Sequence, residues 1–456
     1  MAGKYGGYPK YKTSGIQWLG EIPIHWEKKR IKETAHLING YPFDSSKFEA
    51  GKGVPLVRIR DIRMSMTEVG FVGEVPPESR INAGDVLIGM DGDFNVALWS
   101  GGEAALNQRV ACVRASNYHL QKFIFYVLPL NMKVVNDLTY FTTVKHLSSI
   151  DILKTAYALP PMLELNNIVS FLDHETAKID TLIEKQQQLI KLLKEKRKAV
   201  ISHAVTKGLN PSAPMCDSGV EWLGQVPEHW VVSALKYHVD TVNGFGFSST
   251  DVCEEGVPFI RAGNIKKKSI TETDLYLPQR VVDRYKRVIL SEGDIVISMV
   301  GSDPRILDSA VGQVGVVPKS MAGAVPNQNV VILREKSDSI LKRFLFYILC
   351  SEPYRNHLNV FSHKLANQSI ISSSLIVNAK FMLPSTLEQK RIIDFLDKRL
   401  DNVDDVVLRN YDSLEFLTER RTALISAAVT GKIDVRSWQA PQPSNKSNNN
   451  YKEVAA

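Results

Sequence analysis

The sequence has few of the residues from which metal sites, disulfide frameworks and membrane spans are built. Its 456 residues include four cysteines, which lie far apart and form no C-x-x-C pair. Zinc sites and a disulfide framework are therefore not expected, and a reducing cytoplasm is the expected compartment. The first residues contain no apolar segment typical of an export signal, and no stretch approaches the roughly 18 consecutive apolar residues of a membrane span. We expect a protein that is neither exported nor inserted into a membrane.

The motifs of the common catalytic sites are missing as well. There is no G-x-x-x-x-G-K-[ST] phosphate loop, no H-E-x-x-H, no G-x-S-x-G elbow and no acidic cluster suited to a two-metal nuclease. An adenine methyltransferase would need N-P-P-[FY] or D-P-P-[FY], and the nearest strings, L-P-P-M at 159–162 and N-G-F-G-F at 243–247, do not match. We predict that the chain has no catalytic residue, binds no cofactor and holds no metal ion.

The composition is that of a packed protein with more than one domain. Hydrophobic residues make up 44% and charged residues 23% of the sequence, which excludes a largely disordered chain. A chain of 456 residues exceeds what one hydrophobic core usually supports. The net charge of +7 is compatible with a nucleic-acid partner, although it is equally common in proteins that bind none.

Most of the sequence consists of two copies of one pattern. The segment SGIQWLGEIPIHW at 14–26 returns as SGVEWLGQVPEHW at 218–230, an offset of 204. Later blocks recur in the same order, and the offset has grown to 224 by the last pair: 38–43 with 242–247, 53–62 with 256–265, 84–90 with 293–299, 107–114 with 327–334, 123–128 with 344–349, and 170–180 with 394–404. Two copies are too few for a solenoid and indicate a tandem pair of homologous units, each with its own core. A duplication in which only one copy is functional is the alternative.

The first part of each copy has the features of a mixed α/β domain. Short runs rich in Val, Ile and Leu, bounded by Gly, Pro, Asn or Asp, indicate strands. In the segment 53–62 a strand would turn Val57 and Ile59 inward and Arg58 and Arg60 outward. The runs QKFIFYVL and KRFLFYIL are typical of short amphipathic helices. The sheet is expected to be mostly non-parallel.

The second part of each copy predicts one long helix. After Pro161 and again after Pro384, more than 40 residues contain no Gly or Pro until Gly208 and Gly431. Apolar residues recur there at alternating three- and four-residue spacing, which is a heptad seam: Ile168, Leu172, Ile179, Leu182, Leu189, Leu193 and Val200 in the first helix, and Ile392, Leu396, Val403, Val406, Leu417 and Leu424 in the second. Helices of roughly 65 Å are too long for one compact domain to cover, so we expect the two to pack on each other antiparallel.

Three motifs together resemble those of type I restriction-modification specificity subunits. The first is W-L-G-x-x-P-x-H-W, at 18–26 and again at 222–230. The second is L-P-x-x-x-E at the start of each long helix, and the third is F-L-D followed by a more distant Asp inside it. The resemblance covers nearly the whole chain and differs at one point, since 388–389 are Glu-Gln as in the family and 164–165 are Glu-Leu. This difference puts in doubt only a role for the glutamine.

The resemblance and the duplication imply the same architecture. It is of mixed α/β (α+β) class, with two homologous target-recognition domains joined by two long antiparallel coiled-coil helices in a pseudo-twofold arrangement. The predicted boundaries are 1–160 for target-recognition domain 1, 161–208 for the central helix, 209–384 for target-recognition domain 2, 385–432 for the C-terminal helix and 433–456 for a disordered tail.

Candidate DNA contacts are basic and amide side chains that face outward from the two domains, because such groups bind base edges and phosphates. They are Arg58, Arg60, Arg63, Lys145 and His146 in the first domain, and Arg261, Asn264, Lys266, Lys267, His363, Lys364, Asn367 and Gln368 in the second. A basic cluster is also typical of an ordinary solvated surface. The tryptophan pairs, Trp18 with Trp26 and Trp222 with Trp230, are interpreted as packing residues that fix each domain against its helix.

The function that the resemblance implies is recognition of double-stranded DNA by a non-catalytic subunit. Each domain would recognise one half of a split, asymmetric target, and the helices would fix the spacer between the halves. Partner chains would supply the chemistry: two methyltransferase subunits that methylate adenine N6 with S-adenosylmethionine, and motor-nuclease subunits that need ATP and magnesium. The alternatives are a scaffold whose two domains bind other proteins, and an enzyme with an unrecognised nuclease or methyltransferase motif.

Overall fold

The chain forms two units. The computed structural model describes residues 5–138, 145–301, 311–361, 363–365 and 368–440. Unit 1 consists of Met1–Gln186 and Asp412–Ala456, and unit 2 of Gln187–Tyr411. Each unit therefore contains one α/β domain and about half of each long helix. The sequence-based boundaries keep each helix whole, whereas the units divide each helix near its middle.

Both long helices are present and are confirmed as an antiparallel pair. They extend over Met162–Lys207 and Thr386–Val429. Each is followed within two residues by a glycine at positive φ, Gly208 at +73° and Gly431 at +72°, the conformation in which helices commonly end. Within unit 1 the first half of the first helix packs on the second half of the second, and within unit 2 the other two halves pack together.

The seam between the helices differs by one residue from the prediction at three positions. Leu182, Leu189 and Val406 are 48, 42 and 41% exposed, so their assignment to the seam is wrong. The next residue in each case, an isoleucine twice and then a valine, is buried or half-buried instead. Alternating spacings of three and four fit two neighbouring phases of a helix, and only packing selects one. The other predicted seam residues are buried or half-buried.

The domain of unit 1 contains two larger sheets and two ribbons. The larger sheets have the strand orders Val96–Leu98, Val86–Gly89, Val110–Ala115, Ala35–Asn39, and Phe48–Glu49, Gly70–Phe71, Val54–Val57, Ala104–Leu106, Arg80–Ile81. The ribbons pair Tyr11–Thr13 with Glu21–Pro23, and Glu27–Arg30 with Ala156–Leu159. The shorter α-helices are Ile31–Thr34, Tyr118–Leu138 and Ser149–Lys154.

The domain of unit 2 follows the same plan with one further sheet. Its larger sheets have the strand orders Val239–Asn243, Val330–Glu335, Ile295–Ser298, Val314–Val316, Ser269–Ile270, Ile265–Lys266; Tyr276–Leu277, Val257–Ile260, Val325–Pro326; and Val300–Gly301, Gln368–Ile370, His363–Leu365. The ribbons pair Met215–Asp217 with Gln225–Pro227, and Val231–Ala234 with Lys380–Leu383. The shorter α-helices are Gln279–Val282, Lys342–Cys350, Glu352–Phe361 and Ser373–Asn378. The ladders are mostly antiparallel, which confirms the predicted mixed α+β class.

Each domain shares one hydrophobic core with the helix halves of its own unit. In unit 1, Trp26, Phe171 and Leu424 belong to a single buried cluster. In unit 2, Trp230 and Ile392 belong to the equivalent cluster. Burial of apolar side chains is the main stabilising contribution in such a core. The long helices are therefore structural parts of the two units and not only connections between them.

Arg58 and Arg60 follow the strand Val54–Val57 and do not lie on it. The predicted alternation of inward and outward side chains along one strand is therefore wrong. The strand Val54–Val57 ends before Arg58, and Ile59 and Arg60 lie in a turn. The turn forms because the buried carboxylate of Asp61 accepts a hydrogen bond from the backbone N–H of Arg58 at 3.1 Å. A local side-chain acceptor of this kind competes with the ladder and ends the strand.

The beginning of the predicted disordered tail is packed, so that assignment is wrong for 433–440. Ile433 and Val435 are 8% and 1% exposed, and the ring of Trp438 lies 5.5 Å from that of Phe171. Ile433, Val435 and Trp438, which follow the helix end, pack on the core of unit 1. Residues 441–456 lie outside the described residues.

Candidate nucleic-acid interface

Four loops of unit 1 meet at one surface, which we call the loop face of unit 1: residues 58–63, 90–95, 107–109 and 145–147. Three backbone hydrogen bonds join them. The N–H of Asn107 donates to the carbonyl of Val57 at 3.0 Å, that of Met90 to Arg109 at 3.0 Å, and that of Leu147 to Met90 at 2.7 Å. Loops fixed on a rigid sheet in this way are suited to present side chains to a partner.

The loop face of unit 2 is held by the same three bonds and consists of residues 261–264, 299–301, 327–329 and 368–371. The N–H of Asn327 donates to Ile260 at 2.9 Å, that of Met299 to Asn329 at 2.8 Å, and that of Ile371 to Met299 at 2.9 Å. The duplicated sequence therefore places two equivalent surfaces, one in each unit.

The Asn-Gly pair near the start of each copy positions these loops. A Cβ atom on Gly40 would overlap the carbonyl oxygen of Asn107, and one on Gly244 would overlap that of Asn327. Only glycine allows such a close backbone approach. The adjacent Asn39 accepts a hydrogen bond from the Ser149 hydroxyl at 2.7 Å, and Asn243 accepts one from Ser373 at 2.6 Å. Both Asn-Gly pairs therefore have a structural role.

Arg58 is engaged within the protein. Its guanidinium contacts Asp61 at 2.9 Å and Glu68 at 2.8 Å, and its side chain is 19% exposed. The hydrogen bond to Asp61 raises the pKa of Arg58 above its usual value. This pairing stabilises the turn and leaves the guanidinium little freedom to bind another anion.

Arg60 and Arg63 are the exposed arginines of the same loop. The Arg60 side chain is 66% exposed and its Nη1 lies 4.0 Å from a Glu68 carboxylate oxygen. Arg63 donates from Nη2 to Oδ1 of Asn95 at 2.5 Å. Both side chains are exposed on the loop face of unit 1.

Lys145 and His146 have different surroundings. Lys145 is half-buried, and its ammonium donates to the carbonyl of Asn136 at 2.9 Å. The His146 ring bonds through Nδ1 to Oδ1 of Asp91 at 2.7 Å. Asp91 also faces Arg109, whose Nε lies 3.5 Å from Oδ2. Sequence analysis missed Arg109, although it lies inside a repeated block at a position where the two copies differ.

The predicted residues of unit 2 divide into two groups. Arg261 and Asn264 line a pocket of about 480 Å³ together with Val300, Asn327 and Asn329. Asn264 accepts from the backbone N–H of Arg261 at 2.9 Å and is therefore partly occupied by its own turn. Asn327 and Asn329 were not predicted, and their signal is again a repeated block, the N-Q-N of 327–329.

The second group lies outside this pocket. Lys266 and Lys267 are exposed at the turn between Ile265–Lys266 and Ser269–Ile270. His363 and Lys364 belong to the strand His363–Leu365, which pairs with Gln368–Ile370 and so places Gln368 on the neighbouring strand. Asn367 lies outside the described residues.

The tryptophan blocks fix each domain to the start of a long helix. Trp26 is fully buried and donates from Nε1 to Oε1 of Glu164 at 2.8 Å. Trp230 is 5% exposed, and the neighbouring His229 ring bonds to Glu388 at 3.1 Å. The interpretation of these tryptophans as packing residues is confirmed.

The glutamine that distinguishes the two helix openings has a structural role. Gln389 is fully buried, donates to the carbonyls of Ser339 and Pro384 at 2.9 and 3.0 Å, and accepts from the N–H of Leu341 at 2.9 Å. The corresponding Leu165 is buried in the apolar core of unit 1.

The described residues show neither a metal site nor a membrane-spanning helix. They contain no group of three or more His, Cys, Asp or Glu side chains that could hold a metal ion. None of their helices is both long and apolar enough to cross a membrane.

Two domains of one fold, each with a polar loop face and each fixed to a shared helix pair, define a duplicated recognition module. The family model described as type I restriction modification DNA specificity domain matches residues 23–192 and again 227–406. The chain belongs to this family, which confirms the resemblance.

Relatives that cover most of the chain carry the same description. The type I restriction enzyme EcoBI specificity subunit of Escherichia coli is 28% identical, over 93% of this chain and 90% of its own. The MjaVIII specificity subunit of Methanocaldococcus jannaschii is 26% identical, over 91% of this chain and 95% of its own. A chain solved in work on complex assembly and conformational transition of the type I R-M system has the same fold, with a TM-score of 0.64 at 19% identity, over 90% of this chain and 98% of its own.

Proposed function

We propose that this chain recognises DNA for a type I restriction-modification complex without catalysing a reaction itself. Each unit binds one half of a bipartite, asymmetric target, and the helix pair fixes the spacer. The observation that carries the proposal is that the same three backbone bonds hold both loop faces, whereas their side chains differ. A conserved support with different side chains is what two different half-targets require.

The polar groups on the loop faces support binding to DNA over binding to another protein. Arg60, Arg63 and Arg109 are exposed in unit 1, and Arg261 is exposed in unit 2. Arginine binds phosphates and guanine edges with two parallel hydrogen bonds. The pocket of unit 2 adds amide groups, which match the donor and acceptor pattern of adenine.

The helices offer surfaces to the partner subunits. Large apolar side chains are exposed at positions that correspond in the two helices at an offset of 224: Leu163 with Leu387, Leu182 with Val406, and Leu192 with Phe416. Exposed apolar groups of this size are typical of protein interfaces. Two equivalent sets support two docked methyltransferase subunits, which methylate adenine N6 with S-adenosylmethionine. Motor-nuclease subunits that use ATP and magnesium join the same complex and cleave DNA.

The test is to co-express the chain with the methyltransferase subunit of its own genome and to map N6-methyladenine on plasmid DNA by single-molecule sequencing. We expect methylation at a two-part motif with a fixed gap, and none when the methyltransferase is expressed alone. If the complex forms and binds S-adenosylmethionine but no such motif appears, the chain is a protein scaffold. Transfer of label from S-adenosylmethionine to DNA by the pure chain would make it an enzyme.

A further inference from the structure

Three positions on the two loop faces correspond one to one. In unit 1, Asp91 forms an isolated antiparallel bridge with His146, and in unit 2 Val300 is the antiparallel partner of Ile370 within a short strand pair. Met90, which precedes Asp91, donates to Arg109, and Met299, which precedes Val300, donates to Asn329. The trio Asp91, His146 and Arg109 of unit 1 therefore occupies the same backbone positions as the trio Val300, Ile370 and Asn329 of unit 2.

The trio of unit 1 is charged and preorganised. The Asp91 carboxylate accepts from the His146 ring at 2.7 Å and faces Nε of Arg109 at 3.5 Å. Among the residues that the structure describes, the terminal nitrogens of the Arg109 guanidinium have no hydrogen-bond partner, and its side chain is 55% exposed. A carboxylate that holds one edge of the guanidinium leaves the other edge directed at an incoming acceptor and reduces the entropy lost on binding.

The trio of unit 2 carries no charge. Val300 and Asn329 line the pocket of about 480 Å³, and Ile370 is 37% exposed beside them. The backbone N–H of Asn329 is fixed by Oδ1 of Asn327 at 3.2 Å. An amide that can both donate and accept therefore stands next to two branched apolar side chains.

These two chemistries match different base pairs in the major groove. Guanine presents two acceptors, N7 and O6, to an arginine, and its partner cytosine presents an N4 donor to a carboxylate. Adenine presents an acceptor and a donor, N7 and N6, to an asparagine, and its partner thymine presents a methyl group to apolar side chains. In each trio, one side chain therefore matches the purine of a base pair, and the acidic or apolar side chains match its pyrimidine partner.

We propose that Arg109 and Asp91 recognise a G·C pair in the half-target of unit 1, and that Asn329, Val300 and Ile370 recognise an A·T pair in the half-target of unit 2. His146 is a positioning residue, which orients Asp91. The proposal rests on the function proposed above and adds to it the positions that decide one base pair in each half.

The first experiment uses Arg109→Ala and Asn329→Ala in the full chain, co-expressed with the methyltransferase subunit, with motifs determined by sequencing of N6-methyladenine. Each variant should lose preference at one base pair, G·C for Arg109→Ala and A·T for Asn329→Ala. The loss should be about 5- to 150-fold, the range of one bidentate base contact. The other half of the same motif is the internal control and should not change.

The second experiment places the residue types of the unit 1 trio at the corresponding positions of unit 2. Val300→Asp, Asn329→Arg and Ile370→His together should convert the A·T pair to G·C in the half recognised by unit 2. Complex assembly and thermal melting are measured in parallel. If a variant does not assemble, Arg109→Lys and Asn329→Gln replace it, since they keep charge or amide but change the bidentate geometry, and they should weaken the same single preference.

The outcomes separate the two proposals. If the unmodified complex yields no two-part motif, the proposed function fails. If it does yield one, and the variants keep every base preference or lose methylation equally at all sequences, the trios are phosphate contacts or bystanders and this inference is overturned. Relaxation at a pair of the other type would overturn it as well.

Discussion

The anchor beneath the tryptophan block differs in polarity between the two units, although the block itself is repeated. In unit 1, Glu164 is 5% exposed and accepts from Tyr8, His25 and Trp26 at 2.5, 2.7 and 2.8 Å. In unit 2, Glu388 is half-buried and bonds to His229 at 3.1 Å. Within the described part of the chain, Nε1 of the buried Trp230 has no acceptor.

The surrounding segments explain the difference. In unit 1 both ends of the described chain cover the anchor, since the N–H of Asp434 donates to Gly6 at 2.8 Å and the Arg436 guanidinium lies 5.1 Å from the Tyr8 ring. Burial, followed by the Glu164 bond, raises the pKa of Tyr8 far above its usual value and keeps it a donor. The repeated motif thus determines where the indole packs, and its neighbours determine whether its N–H is satisfied.

The largest effect should come from removing the anchor tryptophans. Trp26→Ala should destabilise unit 1 by about 3–5 kcal/mol through lost burial. Trp230→Ala should cost less, because no hydrogen bond to a buried carboxylate is lost, a contribution of about 1–3 kcal/mol in unit 1. Chemical denaturation of the full chain, with DNA binding measured on the same samples, tests this order.

Trp26→Phe and Trp230→Phe are the matched controls, because both replace the buried indole with one smaller ring and only the first also removes an N–H hydrogen bond. Stability should fall in both variants, and further in the first. Unchanged stability of Trp26→Ala with lost DNA binding would place this indole at the DNA interface and end the comparison.

A smaller loss of stability, equal in the two units, is expected at the ion pairs between the long helices, which both units contain. Arg421 bonds to both carboxylate oxygens of Asp180 at 2.7 and 3.2 Å, and Arg197 to those of Asp404 at 2.9 and 3.1 Å. These pairs correspond at an offset of 224, and in each the aspartate is about half exposed while the arginine is half-buried. Loss of either should cost about 0.2–1 kcal/mol.

Double-mutant cycles measure this, with the charge-reversed pair Asp180→Arg and Arg421→Asp as the restoring control. A coupling energy present in one unit and absent in the other would show that the helix halves do not pack equivalently.

The smallest effect is the pH dependence that His238 contributes to unit 2. Burial lowers the pKa of His238 below its usual 6.5, and its ring contacts Phe381 edge-on at 5.6 Å. The corresponding residues of unit 1 are Thr34 and Tyr157, joined at 2.7 Å, and burial raises the pKa of Tyr157 to about 12. Because unfolded His238 takes a proton more readily than the folded one, its contribution is complete above pH 6.5 and is lost as the pH falls below that value.

Melting at pH 7.5 and pH 5.5 tests this with the double variant His238→Thr and Phe381→Tyr, which copies unit 1. The variant should lose less stability on acidification than the unmodified chain. An identical loss in both would assign the acid sensitivity to other groups.

Patterns that depend on packing of whole elements could be predicted from the sequence. The duplication, both long helices and the tryptophan anchors follow from spacing, because burial of an apolar face requires it. Positions that depend on a single contact could not. Arg58 turns inward because of Asp61, and the seam phase at Leu182 and Leu189 is decided by the facing helix.

The candidate site was predicted in part. Basic residues near the loop faces were predicted from their residue type. Arg109 and Asn329 were not predicted, because the repeated blocks that contain them were interpreted only from the residues that the two copies share. The blocks NQRV and NQNV differ at one position, Arg109 and Asn329, which lies on the loop face of each unit. Positions at which the two copies differ inside a repeated block are therefore the sequence signal that indicates these two residues.

The division of the chain into units has a consequence for its synthesis. Unit 2 is one continuous stretch, Gln187–Tyr411, whereas unit 1 needs Asp412–Ala456 as well. The core of unit 1 includes Leu417, Leu424 and Val429, so this core closes only after the second helix has left the ribosome. The domain that is made first is completed last, and the apolar residues that pack on this late segment stay uncovered during translation of more than half of the chain.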